Sequence, residues 1–543
     1  MKRSIYLRGF SGLALVLSLA GVATPHIAHA SSACGAPARL ANLTACDFTG
    51  VNLSNLNLTG AILTNANLTN ANLTGTNLNS ATLTGANLSG ANVSAATLTA
   101  ATLAGVSSGQ IIGSPSTLPT GWQLVSGYLV GQWANLAHAN LAHANLATAT
   151  LAGVSSGFIT GVPAALPASW KIIGGYLMGP GANLANANLT GLTMSTATLA
   201  GVTSGGVIGV PALLPVNWKL VSGYLVGPYA NLTNARLAHA NVTGVNLTGA
   251  TLTGVTSGGV IGLPTALPAR WHLVVGYLVG PQANLTAANL TGAVLTGVDL
   301  SFAKLSSVNL THAKLLGAAL TGVTSGGVTG VVSSMAVNWH IVNGYLLGPT
   351  ADLHGANLAH ANLGSMILTG TNLDGTNLTG TTLTAVTSGG VLGTPASLPS
   401  GWTLIRGYLI GSHAVLKGAN LSGATLTGVN LTQCNLSGAI LTGVTSGGVI
   451  GVPMILPNTW RLVHGYLVGP WANVPNADLS HGNFANANLT GANFKNANLT
   501  QVNLDGATLT YATLTGVISS GIIGTPQSLP TGWRLVGGSL THS

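Results

Sequence analysis

From Leu43 onward an apolar residue returns at every fifth position: Phe48, Leu53, Leu58, Leu63, Leu68 and so on without a slip to Leu103. Ala usually stands two positions earlier, and Asn or another polar residue immediately before. The same beat returns in seven further blocks and ends at Leu514. A period of five fits neither the 3.6 residues of a helix nor the strict alternation of an ordinary strand. The filler residues, Asn, Thr and Gly, are poor helix formers, which excludes an all-helical solenoid. A five-residue unit cannot bury its own Leu, so units must stack on one another. The pattern therefore predicts an all-β repeat with Leu and Ala inward. The residue before Leu and the two after it point outward, and Asn, Thr and Gly turn the chain at every unit. Stacked courses would lie about 4.8 Å apart.

A second repeat interrupts the first. One copy, residues 201–228, reads G-V-T-S-G-G-V-I-G-V-P-A-L-L-P-V-N-W-K-L-V-S-G-Y-L-V-G-P. Its Trp recurs as Trp122, Trp170, Trp218, Trp271, Trp339, Trp402, Trp460 and Trp533, at spacings of 48, 48, 53, 68, 63, 58 and 73. Each spacing is 48 plus a multiple of five, so the module has a fixed length and the variable part is whole units. Leu103 to Leu136 and Leu320 to Leu353 are both 33 residues apart. Within the module a five-residue step persists, as in Leu124/Leu129, Leu220/Leu225 and Leu462/Leu467. It suggests that the G-Y-L segment rejoins the coil and that the Gly- and Pro-rich stretch before Trp is the excursion. A separate projecting β-hairpin is the second reading.

The A-N-L-T-G units resemble the pentapeptide-repeat family, whose motif is A-(D/N)-L-x-x, over most of residues 41–516. The resemblance implies one long right-handed quadrilateral β-helix with one pentapeptide per side and about twenty residues per coil, here with eight short inserted modules. On such a coil the Trp spacings leave different remainders on division by twenty, so the modules would lie on more than one side. The expected organisation is a signal peptide at 1–30, an N-terminal cap segment at 31–40 and the β-helix over 41–516. Modules fall near 104–133, 152–181, 200–229, 253–282, 321–350, 384–413 and 442–471, and a C-terminal module and cap occupies 517–543. Ser539 stands where the other modules have Tyr, consistent with a terminal cap.

The first thirty residues carry export features: Lys2, Arg3 and Arg8, an apolar stretch from Gly12 to Val22, and Ala28-His29-Ala30 as a cleavage site. Cleavage would leave Ser31 first and place the protein outside the cytoplasm, secreted or at the cell surface. No later apolar run is long enough to span a bilayer, so no transmembrane segment is expected in the mature chain. Charge is sparse. The chain has 15 Lys+Arg and 6 Asp+Glu, all six being Asp. Without the three basic residues of the leader the balance is twelve against six. Some members of the family mimic DNA, a role that needs an acidic surface; this net-basic chain does not fit it, and no nucleic-acid partner is expected.

Candidate chemistry is thin. Asp47, Asp299, Asp352 and Asp478 replace the Asn before a central residue, and Asp374 and Asp505 follow one. With no Glu and no paired carboxylates, catalysis, a cofactor and a metal site are not expected. His138, His143, His239, His312 and His360 recur two residues after the central position and read as solvated surface groups. Cys34 and Cys46 open the repeats of an exported chain and are a candidate disulfide; Cys434 sits in an Ala slot and reads as a small buried residue. The Trp residues above are followed in seven modules by Tyr128, Tyr176, Tyr224, Tyr277, Tyr345, Tyr408 and Tyr466. These rings are candidates for stacking on sugars, and the competing reading is that each Trp plugs its own module. The sequence thus points to a non-enzymatic exported structural or adhesive solenoid, whose partner is itself, another surface protein or a glycan. The alternative is a glycan- or cell-wall-binding protein using the Trp/Tyr pairs.

Overall fold

The computed structural model describes residues 34–543. The expected signal peptide and residues 31–33 lie outside the described residues. Every regular element among the described residues is a strand, so the chain is all-β. Its contacts divide it into two compact units: one runs to Thr203 and includes Val207–Pro215, the other joins Ser204–Gly206 to Val216–Ser543.

In the first unit the outward residue of each pentapeptide pairs in parallel with the residue twenty positions on, as in Asn42↔Ile62↔Thr82↔Thr102 and Asp47↔Asn67↔Asn87. Four five-residue units therefore fill one pairing period. The bonds are regular: the Leu43 N–H donates to the Ile62 carbonyl at 2.7 Å, and the Ile62 N–H donates to the Ala41 carbonyl at 2.9 Å. Leu43, Leu53, Leu58 and Leu63 are completely buried, with Ala61, Ala66 and Ala71 beside them. Each such Leu is worth about 1.5–3 kcal/mol on leaving water.

The outward Asn holds the turn. Asn42 Oδ1 accepts the Thr44 N–H at 3.2 Å and the Thr44 hydroxyl at 2.7 Å. That explains why Ser or Thr follows the central Leu so often. The next residue takes a left-handed conformation, as at Asn65 (φ 56°) and His138 (φ 61°), so Gly, Asn and His are favoured at this corner.

The second unit repeats the scheme, with Asn289↔Asn309↔Thr329 and Asp352↔Asn372↔Leu392. At Lys304–Ser306 and Thr324–Gly326 the pairing widens into a short parallel sheet. Where a polar residue fills the Ala slot it bonds back to the course before. Thr376 donates to the Leu353 carbonyl at 2.8 Å, and the buried Cys434 thiol donates to the Gly411 carbonyl at 3.0 Å. Burial pushes the Cys434 thiol up to about 11, so it stays protonated at neutral pH. Cys34 and Cys46 form a disulfide beside the first course.

Among the described residues there are eight antiparallel hairpins, one per module; seven interrupt the parallel pairing and the last follows it. The first joins Gln123–Val125 to Tyr128–Val130. Two expectations about the module are corrected here. The Gly- and Pro-rich stretch is not the excursion: Ile112 still pairs with Asn92 and Thr117 with Thr97, both at the usual distance of twenty. The extra residues are in the hairpin, because Ser107 pairs with Asn135, Ser155 with Asn183 and Thr256 with Asn284, each 28 residues on instead of twenty. The hairpin thus adds eight residues and the register resumes.

The five-residue step Leu124/Leu129 also has a different origin. The two leucines are cross-strand partners around a two-residue turn, not successive inward positions. Ser126 (φ 49°) and Gly127 (φ 78°) are both left-handed, the geometry that suits a tight hairpin. The G-Y-L segment does rejoin the core, since Leu129 and Val130 are buried.

Subtracting the eight residues changes the placement of the modules. In the first unit Trp122 and Trp170 are 48 apart, two whole periods once the hairpin is removed, so they share a side. In the second unit Trp271 and Trp339 stand at the same place in the twenty-residue period by the same reckoning, Trp218 and Trp402 share another, and Trp460 and Trp533 take two further places.

Candidate functional site

Seven of the eight hairpins are locked onto their courses by three side chains, and the last, with Ser539 in place of Tyr, keeps two of them. The Gly that closes G-Y-L-V-G stands in the inward slot that Leu fills elsewhere, and the module Trp takes its place. A Cβ on Gly131 would lie 2.3 Å from the Trp122 ring, and one on Gly280 would lie 2.4 Å from Trp271. The same contact recurs for Trp170, Trp218, Trp339, Trp402 and Trp460. Trp271, Trp339 and Trp460 are buried, and Trp122, Trp170, Trp218, Trp402 and Trp533 are half-buried. In the last module His542 stands where the other copies have this Gly and meets Trp533 edge-on at 5.4 Å.

The module Tyr lies over a second glycine, as Tyr128 does over Gly109 and Tyr277 over Gly258. Its hydroxyl accepts a backbone N–H twelve residues on. Asn140 bonds to Tyr128 in this way, Asn188 to Tyr176, Arg236 to Tyr224, Asn289 to Tyr277, Asn357 to Tyr345 and Asn420 to Tyr408. Tyr466 lies over Gly447. The third contact was not singled out from the sequence: Ser108 Oγ accepts the Leu129 N–H at 2.9 Å, and all eight modules repeat it, ending with Ser519 and Leu540. The signal was the invariant Ser of the module's V-x-S-x segment.

The outward groups are mostly occupied in holding turns. Asp47, Asp299, Asp352 and Asp478 accept the N–H two residues on, from Thr49, Ser301, His354 and Ser480. The Thr49 hydroxyl and N–H hold the Asp47 carboxyl below its usual range, and those of Ser480 do the same for Asp478. Burial pushes Asp299 up, but the Ser301 bonds and the Arg270 guanidinium at 2.8 Å outweigh it. Asp374 and Asp505 accept the N–H of Thr394 and Thr525 on the following course. His138 and His143 sit at successive corners, and no group of three or more potential metal ligands converges among the described residues. Hollows of about 450 Å³ and 340 Å³ open beside Trp402 and Trp339.

The exposed rings are elsewhere. Trp133, Phe158, Tyr229, Phe302, Trp471 and Tyr511 all occupy left-handed corners and all are exposed, from 46% for Trp133 to 74% for Tyr511. The sequence reading passed over them. The signal was an aromatic residue two after a central position, where Gly, Asn or His otherwise stands.

A family model described as pentapeptide repeats matches in eight copies, over residues 41–79, 76–107, 229–256, 282–323, 351–384, 412–444 and 483–518. This is a pentapeptide-repeat protein. The gaps between the matched segments are the hairpin courses and the units beside them. Among solved structures the pentapeptide repeats are similar to those of HetL, a pentapeptide repeat protein involved in heterocyst differentiation regulation from the cyanobacterium Nostoc sp. strain PCC 7120. That match has 23% identity, covers 48% of this chain and 91% of HetL, and has a TM-score of 0.12. Full-length QnrB1, a plasmid-mediated fluoroquinolone resistance protein, matches at 15% identity over 42% of this chain and 90% of its own, with a TM-score of 0.11. Overlaps this loose carry no argument about function. No curated protein matches the chain. Among the described residues no helix is long and apolar enough to cross a membrane.

Proposed function

We infer that this pentapeptide-repeat chain is an exported, non-enzymatic scaffold at the cell exterior, with a structural or adhesive role. Each unit is read as a right-handed four-sided β-helix carrying the Trp-containing modules of the eight hairpins. The observation that carries the reading is the constancy of the register: six of the hairpins among the described residues each add eight residues and parallel pairing resumes at once, as from Thr324 to Asp352 and from Thr445 to Asn473. Such a device preserves a continuous outer surface. The commitment of the Asp carboxylates to turn N–H groups supports a scaffold over a catalyst. Export rests on the leader features of residues 1–30.

The test is to express the full chain in a bacterial host and determine the mass and surface accessibility of the product. A polypeptide beginning at Ser31 and cleaved by protease added to intact cells is the expected result. An uncleaved chain retained in the cytoplasm would overturn the reading.

A further inference from the structure

Aromatic residues are scarce in this chain, and their placement is selective. In the described residues each one either fills the core, as Phe48, Phe484 and Phe494 do, belongs to a hairpin module, or stands at an exposed left-handed corner. The last class needs explaining. A bulky side chain is disfavoured at φ near +60°, and at these corners it gains little burial in return. Trp133, Tyr229, Phe302 and Trp471 lie over the glycine of the next corner and Phe158 stacks on His138 at 4.9 Å, yet all six residues keep 46% or more of their surface in solvent, and bulky residues held in this way at strained corners are candidates for contact with a ligand.

The corner formed by Trp471, Gly491 and Tyr511 is the most developed case. The pairing Asn473↔Asn493↔Thr513 puts these three corner residues on successive courses of the second unit. Trp471 (φ 58°) lies against the next corner, where a Cβ on Gly491 would be 2.3 Å from its ring. On the course before, Gly443 donates its N–H to the Trp471 carbonyl at 3.0 Å and has no side chain to cover the ring from that direction. One part of the indole is backed by glycine and 51% of the residue stays exposed, while Tyr511 one course beyond Gly491 is 74% exposed. Two courses of parallel pairing separate the two aromatic residues by about 10 Å. The groups beside them are amides and hydroxyls: Asn493 Nδ2 donates to Asn473 Oδ1 at 2.8 Å, and Thr490, Thr510 and Thr513 flank the corner. Trp133, between Gly105 and Gly153, repeats the arrangement singly in the first unit.

The geometry points to this corner as a binding strip for a neutral, extended β-1,4-linked polysaccharide. Alternate sugar rings lay their apolar faces on Trp471 and Tyr511, and the ring hydroxyls meet the Asn and Thr side chains. Spacing by two courses suits a chain in which every second sugar presents the same face. Charge beside the strip is sparse, the exposed Lys495 two residues after Asn493 being the nearest in sequence, which suits a neutral ligand over a polyanion. The proposal depends on the exterior location above only for where such a polymer would be met. Binding by purified protein tests it independently of export, so either idea can fail while the other stands.

The experiment titrates the full mature chain with cellohexaose and with chitohexaose by calorimetry and Trp fluorescence, with dextran sulfate as the anionic comparison. Binding of at least one neutral hexasaccharide is expected. Trp471→Ala and Tyr511→Ala should each weaken it by about tenfold or more, Trp471→Tyr should largely retain it, and the melting temperature should change little because both rings are exposed. Absence of binding to both hexasaccharides, binding of dextran sulfate alone, or binding unchanged in Trp471→Ala and Tyr511→Ala would overturn the proposal.

Discussion

The uninterrupted courses from Asn284 to Leu320 and the hairpin course that precedes them, Thr256 to Asn284, belong to one unit and fill their interior in different ways. In the uninterrupted stretch every inward slot is filled by its own pentapeptide: Leu290, Leu295, Leu300, Leu310 and Leu315 are fully buried. In the hairpin course the slot at Gly280 is filled by Trp271 from nine residues away, and Leu278 and Val279 arrive on a hairpin strand. The first arrangement is local and repeats indefinitely. The second depends on one long side chain meeting one absent side chain, so it has a fixed length and tolerates no partial change.

The largest expected effect comes from breaking the local rule. Deleting two residues, Thr291 and Gly292, turns the following leucines outward and should abolish the cooperative thermal transition seen by circular dichroism. Deleting five, Thr291–Leu295, keeps the period and should leave a cooperative transition. Next, Leu310→Ala should cost about 2–5 kcal/mol by urea unfolding, and Leu273→Ala, on the half-buried first hairpin strand, clearly less. A subtler contrast separates two glycines. Gly280→Ala drives a methyl into the Trp271 ring and should cost about 1–3 kcal/mol. Gly355 has open space around it and φ +66°, so Gly355→Ala should cost only the left-handed penalty of about 1–2 kcal/mol.

The smallest effect is electrostatic. The Asp47 and Asp478 carboxyls are held below the usual range by Thr49 and Ser480. A depressed folded pKa stabilises the fold above the unfolded value of about 4 and is lost as pH falls through the folded one. Melting temperature should be flat from pH 7 to about 5 and decline below about 4, and the double substitution Asp47→Asn, Asp478→Asn should shallow that decline. A decline beginning near neutrality would contradict it.

The pentapeptide courses were legible because each residue's role depends on its position within five: Leu and Ala in, Asn holding the turn, Gly at the corner. The hairpin course was only half legible. Its constant length announced a register, but Gly113 occupies the place where Leu is expected. The stretch that stays in register therefore resembles an excursion, although Ile112 and Thr117 pair normally. The Leu124/Leu129 step imitated the pentapeptide beat because a two-residue turn also places partners five apart. The corner aromatics sit at a fixed place in the beat, two after a central position, but a corner takes Asn, His or Trp without disturbing the pattern, so nothing in the period marks them out. What such a ring packs on, Gly153 for Trp133 or Gly491 for Trp471, is visible only after the courses are stacked.

The central claim is that a hairpin module is one ordinary twenty-residue course with eight residues added. The most direct measurement is the thermal unfolding of a chain lacking Leu273–Gly280 and carrying His272→Leu. The junction then reads Trp271, Leu, Pro281, Gln282, Ala283, Asn284, one complete pentapeptide leading into the next. A single cooperative transition close to that of the intact protein is predicted, with loss of cooperativity when six residues are removed instead of eight. If the eight-residue deletion fails to fold, or the six-residue deletion folds as well, the account of the module is wrong.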